Sequence, residues 1–283
     1  KYPVKNDNFS PSTKYPEYPF KHLSCDKNHI YDMVREVLHG LGYDKSNYNT
    51  KYWNPLGHII KPNDIVLIKP NMVLDNHELG TEYSIDSLIT HPSLVRAIMD
   101  FVYIALKGQG KIIIADAPLQ SCDFKRLCDI SGYNEIVQFY QTNTNITIEL
   151  IDLRKIESRI NSDLYINVYE CEGDPRGYTT VDISKYSEHR EKRELYKKFR
   201  LTNYNVLNMR KFHNKSRNTY LISNTVLQAD VIINMPKPKT HRKAGITAAS
   251  KNFIGIIGHK ECLPHHTKGS IAEGGDEYPV KDW

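Results

Sequence analysis

The chain has 283 residues, 40% hydrophobic and 25% charged, enough to bury a sizeable core without disulfide or metal staples. That balance excludes a disordered, collagenous or coiled-coil protein, and no apolar run approaches the roughly 18 residues a membrane span needs. Lysine plus arginine exceed aspartate plus glutamate by 38 to 33, and the excess is local, with eleven basic and three acidic side chains in residues 185–217. Glu188, Glu191 and Glu194 interleave there with Arg190, Lys192, Arg193, Lys197 and Lys198, which reads as a solvated helix face and makes nucleic acid an unlikely partner.

The five cysteines, Cys25, Cys122, Cys128, Cys171 and Cys262, form no CxxC pair, so no iron–sulfur cluster or zinc ribbon is expected. An odd count behind a polar, Tyr/Pro-rich start suggests reduced thiols and a cytoplasmic setting. A chain running from Lys1 to Trp283 reads as a fragment of a longer protein.

Residues 1–25 carry Pro3, Pro11, Pro16 and Pro19 and should form an extended arm ahead of an α/β domain over 26–283. A helix follows from Asp26, with Ile30, Met33, Val34, Val37, Leu38 and Leu41 periodic and Gly42 closing it. Residues 65–68 read as a buried strand, ending in Lys69-Pro70-Asn71. After a loop, Thr90-His91-Pro92 opens a helix with Thr90 as N-cap and Val95, Ile98, Val102 and Leu106 inward. Residues 111–115 form a second buried strand ending at Asp116, followed by a helix over 124–141 and a strand over 146–151.

The alternation predicts a doubly wound, mainly parallel, Rossmann-like α/β sheet covered on both faces. Residues 153–218 break the pattern and read as an inserted smaller α+β section with short strands at 164–168 and 178–183 and then a basic helix. The α/β pattern resumes at 220–223 and 229–234, before a small-residue helix over 244–257. The tail from Gly258, with His259, His265, His266, Asp276 and Glu277, reads as a lid that could add a divalent metal through His265 and His266.

In open α/β sheets, ligands bind outside the carboxyl ends of the strands. Three such ends here carry Lys69 and Asn71, Asp116, and Lys237, Lys239 and His241, which predicts an anion pocket. Thr90 and His91 would add the helix start as an anion site. His241 would move a proton, Lys239 and Lys251 would stabilise negative charge, and Asn252 would complete the site. No GxxxxGK[ST] or GxGxxG is present, so a nucleotide-binding fingerprint is missing.

Val66-Leu67-Ile68-Lys69-Pro70-Asn71, Thr90-His91-Pro92, the run from Ala229 to Lys237, and Lys239-Thr240-His241 through Lys251-Asn252 resemble domain-of-unknown-function family 362, over roughly residues 64–277. Some members carry iron–sulfur cysteine motifs, which this chain lacks. A more distant similarity is to the nickel-pincer lactate racemase family, whose Thr-Arg-Pro-like turn and His-to-Lys spacing match Thr90–Pro92, His241 and Lys251. His91 stands where that family has arginine, and its glycine pair is missing between His241 and Lys251.

These readings converge on an enzyme acting on a small anionic substrate, such as a hydroxy acid, sugar acid or phosphate ester, by His/Lys acid–base chemistry. The alternative is a binding or scaffold protein that uses residues 185–217 to contact an acidic partner or nucleic acid. The sequence specifies neither the cofactor nor the oligomeric state.

Overall fold

The apolar runs starting at residues 65, 111 and 146, with the one at 229–234, pair into one parallel sheet, whose two central strands, the first two of these runs, are buried on both faces. The computed structural model describes residues 2–77, 79–160, 166–201, 206–241 and 244–277. In chain order the elements begin with α1 (His29–Gly40), β1 (Ile65–Pro70), α2 (Pro92–Leu106), β2 (Lys111–Asp116), α3 (Phe124–Ser131), α4 (Tyr133–Asn143) and β3 (Thr147–Asp152). A less regular section holds β4 (Ile156–Ile160), β5 (Ile166–Glu170), β6 (Tyr178–Asp182), β7 (Phe199–Arg200), α5 (Val206–Phe212), β8 (Thr219–Ser223) and α6 (Asn224–Leu227). The chain then returns to the sheet with β9 (Val231–Met235) and ends in β10 (Lys239–His241), β11 (Gly245–Thr247), α7 (Ala249–Asn252) and β12 (His266–Thr267).

The sheet order is β3-β2-β1-β9, with every neighbouring pair parallel. Strand alternation divides the side chains between two cores. Val66, Ile68, Ile112, Ile114 and Ile148 face the larger, against Phe101 and Val102 of α2 and Ile136 and Tyr140 of α4. Leu67, Ile113, Ala115 and Ile151 face a smaller core closed by Leu153, Val226 and Ile256.

A doubly wound sheet calls for comparable helices on both faces. Here α2 and α4 pack on the same core, while the other face is covered by the four-residue α6 and a 3-10 turn, Phe253–Ile256. The chain between β3 and β9 forms antiparallel pairs, β4 with β5 and β6 with β8, instead of an amphipathic crossover helix. Residues 220–223 therefore belong to this section and not to the main sheet. The basic stretch expected as a helix is a run of 3-10 turns, Glu188–Lys198.

Two further expectations change. The helix expected over 124–141 breaks at Gly132, whose φ of 102° is left-handed, giving α3 and α4. In α1, Met33 and Val37 are each 61% exposed, and the inward residues are Tyr31, Val34, Arg35 and Leu38. Arg35 turns inward because Glu17 Oε1 accepts from its Nε at 2.6 Å, Tyr48 Oη and Asn49 Oδ1 accept at 2.7 Å each, and the Tyr15 ring lies 4.3 Å away.

The N-terminal arm is irregular but packed. Phe9 and Tyr18 belong to the larger core, and buried Arg96 of α2 donates to Asn8 O at 2.8 Å, Tyr18 Oη at 3.0 Å and Asp100 Oδ1 at 3.1 Å. A buried guanidinium is tolerable only with such full partnering.

Candidate functional site

The parallel register brings the carboxyl ends of β1, β2 and β9 side by side, with Lys69 opposite Asn234 and Pro70 opposite Met235. Lys69 is fully buried, its Nζ 2.7 Å from Asp116 Oδ1 in an ion pair and donating to Pro70 O at 2.8 Å. The other carboxylate oxygen, Asp116 Oδ2, accepts from Met72 N at 2.6 Å, fixing the exit of β1. Asn252 of α7 ties the strands together, its Nδ2 donating to Lys69 O at 2.9 Å and to Asn234 Oδ1 at 2.7 Å. Gly255 covers the pair so closely that a Cβ there would lie 1.8 Å from Asp116 Oδ1. Only glycine fits.

Lys260 completes this floor, and sequence reasoning missed it. It is 6% exposed and donates to Ala117 O at 2.9 Å and Ile254 O at 3.3 Å. Burial pushes its ammonium down to about 8, opposed by Asp116 and assisted by Lys69. No motif marks it. A lysine in a polar tail looks solvated until the tail packs.

Above the floor opens a cleft of about 500 Å3. Asn71, Asp116, Lys237, Lys239, His241, Lys251 and Asn252 of the expected site all line it, as does His265 from the tail. Lys69 lies beneath, behind Asp116. Among the described lining residues Asp116 is the one carboxylate, against Lys237, Lys239, Lys251 and Lys260.

The wall is made by a hairpin. The helix expected over 244–257 is instead the antiparallel pair β10–β11 followed by the one-turn α7. Gly245 at φ +72° makes the turn, and β-alternation puts Lys239 and His241 on one face and Thr240 on the other. Lys239 Nζ donates to Asn71 Oδ1 and Leu88 O, both at 2.9 Å. Burial pushes its ammonium down to about 8, with Asp116 opposing and Lys237 and Lys251 assisting. His241 Nδ1 accepts from Ala244 N at 3.2 Å, so in the neutral ring Nε2 carries the proton. Lys251, expected to stabilise negative charge, is exposed on the rim.

Thr90 and His91 do not reach the cleft. Thr90 Oγ1 accepts from Asn71 N at 3.0 Å and donates to Met235 O at 2.6 Å, binding β1 to β9. The N-cap of α2 is His91, which accepts from Ser93 N. Its ring stacks on Tyr2, centroids 4.0 Å apart and 3° from parallel, and burial holds the imidazole down at about 4. Tyr2 Oη in turn accepts from Lys237 Nζ at 3.4 Å. The helix start expected to bind an anion is thus covered by the arm.

The tail serves partly as wall. Leu263, Pro264 and His265 line the cleft, and β12 pairs with β7. His266 turns to Glu277, 3.2 Å away. Among the described residues no three His, Cys, Asp or Glu side chains converge as a metal site, so the donor set does not fit a metal held by His265 and His266. Exposed Lys251, on a one-turn helix, likewise gives no enclosed seat for a covalent nickel-pincer group. Among the described residues no helix is long and apolar enough to cross a membrane.

A four-stranded parallel α/β sheet with a lysine-lined cleft at its carboxyl edge defines the architecture. The chain belongs to the family described as domain of unknown function (DUF362), whose model matches residues 66–168 and 166–274. Compared with the curated proteins and with the solved structures, the chain has no match.

Proposed function

We propose that the protein is an enzyme that binds a small carboxylate or phosphate in the cleft above Asp116 and transfers a proton there with Lys239 and His241. The observation that carries this reading is the charge imbalance: four lysines line the cleft against one carboxylate, itself paired with Lys69 beneath. Like charges gathered in one cleft repel, most strongly where they are partly buried as at Lys239, and an anion relieves that repulsion. The strand order, which reverses direction at β1, supports a Rossmann-like reading in which the ligand sits at that reversal.

Lys239 suits both binding and proton transfer. Asn71 and Leu88 accept two of its hydrogens. The third position on nitrogen holds a proton directed to an anion when the group is charged, and a basic lone pair when it is neutral. With its ammonium pushed down to about 8, both forms are populated near neutral to mildly alkaline pH. His241, with its proton on Nε2, is the complementary donor.

The test is thermal unfolding in graded lactate, inorganic phosphate and sulfate. An anion bound only by the native state raises the melting temperature with concentration. In Lys239→Met the same rise should need about tenfold more anion, and in wild type it should fade as pH climbs past 8. No rise with any of the three, or a concentration dependence unchanged in Lys239→Met, refutes the reading.

A further inference from the structure

The cleft is not uniformly polar. Beside the lysines its lining includes the apolar Val73, Pro118, Leu119, Leu201, Ile254 and Leu263, and also Gln120. Gln120 is 2% exposed, and among the described residues neither its side-chain Nε2 nor its Oε1 has a hydrogen-bond partner. Its backbone is fixed from behind, with Ser158 N donating to Gln120 O at 2.9 Å and buried Arg154 Nη1 donating to it at 3.3 Å. A buried amide with a free donor and a free acceptor is unfavourable in the empty protein, and such groups recur where a ligand supplies the partner.

We infer that Gln120 is a specificity-determining residue that recognises a hydroxyl or amide on the ligand, so that the substrate is an anion carrying an apolar body with one such group on it. This rests on the anion-binding reading and adds the far end of the molecule. Charge is met at the lysine wall, methylenes by the apolar lining, and the remote polar group by the Gln120 amide, which can both donate and accept. A site built to hydrogen-bond a ligand group rejects the analogue that lacks it far more strongly than an apolar pocket rejects a missing methylene.

The experiment compares straight-chain carboxylates, butanoate through octanoate, with their ω-hydroxy counterparts, binding to wild type and to Gln120→Leu by calorimetry. At one chain length the hydroxy acid should bind wild type at least about tenfold tighter than its alkyl partner, and Gln120→Leu should erase that ratio while still binding the alkyl acid. The ligand-free variant should melt higher, by roughly 2–4 °C, because an unsatisfied amide has been removed. An unchanged hydroxy-to-alkyl ratio in Gln120→Leu, or a lower melting temperature, overturns the assignment while the anion reading stands. Failure of wild type to bind any acid of either series overturns the assignment, and the anion reading falls with it only if phosphate and sulfate also leave the melting temperature unchanged.

Discussion

The floor and the wall of the cleft are both rich in lysine, yet the lysines do different work. On the floor, Lys69 and Lys260 are buried and donate to backbone carbonyls, with Asp116 between them in charge. On the wall, Lys237, Lys239 and Lys251 line open space, and among the described lining residues Asp116 is the one counter-charge they share. Burial with full partnering makes a lysine part of the frame; partial burial with a donor to spare makes it available to a ligand.

The largest expected effect breaks the floor. Asp116→Asn leaves the Lys69 ammonium buried without its counter-charge, and removing one partner of a buried pair typically costs about 3–5 kcal/mol. Chemical denaturation should show that loss. A change under about 1 kcal/mol would mean that the carboxylate belongs functionally to the wall, as a ligand or proton-transfer group held by Lys69.

Gly255→Ala strikes the same floor by volume. Its Cβ would meet Asp116 Oδ1 at 1.8 Å and Lys69 Nζ at 2.7 Å, neither of which is free to move. Overpacking of this kind costs about 1–3 kcal/mol, measurable in the same denaturation experiment. Full stability in the variant would mean that the floor yields, and that its contrast with the wall is one of degree.

The two regions also differ in how far the sequence discloses them. The strands that position the site are legible because parallel strands buried on both faces read as unbroken apolar runs, as in Ile65 to Ile68 and Lys111 to Ala115. Lys237, Lys239 and His241 are legible as well, since they follow such a strand directly. The floor is not. Lys260 and Gly255 act by tertiary packing of a segment whose own periodicity carries no signal, and Gln120 is an ordinary loop glutamine until the cleft closes around it. The hairpin at 239–247 defeats a helix reading because small residues such as Ala244 and Ala248 suit a helix locally, while the sheet edge needs a turn at Gly245. The buried face of α1 is hidden from the sequence for a related reason: Arg35, buried with its Glu17 partner, is polar by type, whereas the exposed Met33 and Val37 are apolar by type.

Lys239→Met tests the wall. It should reduce anion affinity about tenfold, equivalent to 1.4 kcal/mol, with little loss of stability. The pH dependence has a definite sign. Because the folded-state value near 8 lies below the ordinary lysine value, the unfolded chain binds more protons between about 8 and 10.5, and the burial penalty on Lys239 is relieved as pH rises through that window. Anion binding runs the other way, since it needs the ammonium, and should weaken above pH 8. Stability rising while anion affinity falls across the same window is the signature of one group serving both. Affinity that stays level to pH 10 would assign the anion to other lysines.

The smallest effect concerns the rim. Lys251 is exposed on α7, whereas its neighbour Asn252 is buried and bonded to both strands. Its charge is felt at Lys239, so it should assist an anion's approach, but a charge bathed in solvent is screened over about 10 Å at moderate salt. Lys251→Ala should therefore leave stability within about 0.5 kcal/mol and weaken anion binding several-fold less than Lys239→Met does. That modest loss should disappear at high salt, where the loss in Lys239→Met persists because a half-buried contact is screened far less. The two variants, titrated with phosphate at low and high ionic strength, separate a field from a contact. If Lys251→Ala abolishes binding at every salt concentration, Lys251 is a direct ligand group, and the wall extends to a residue whose exposure in the free protein conceals its part in the site.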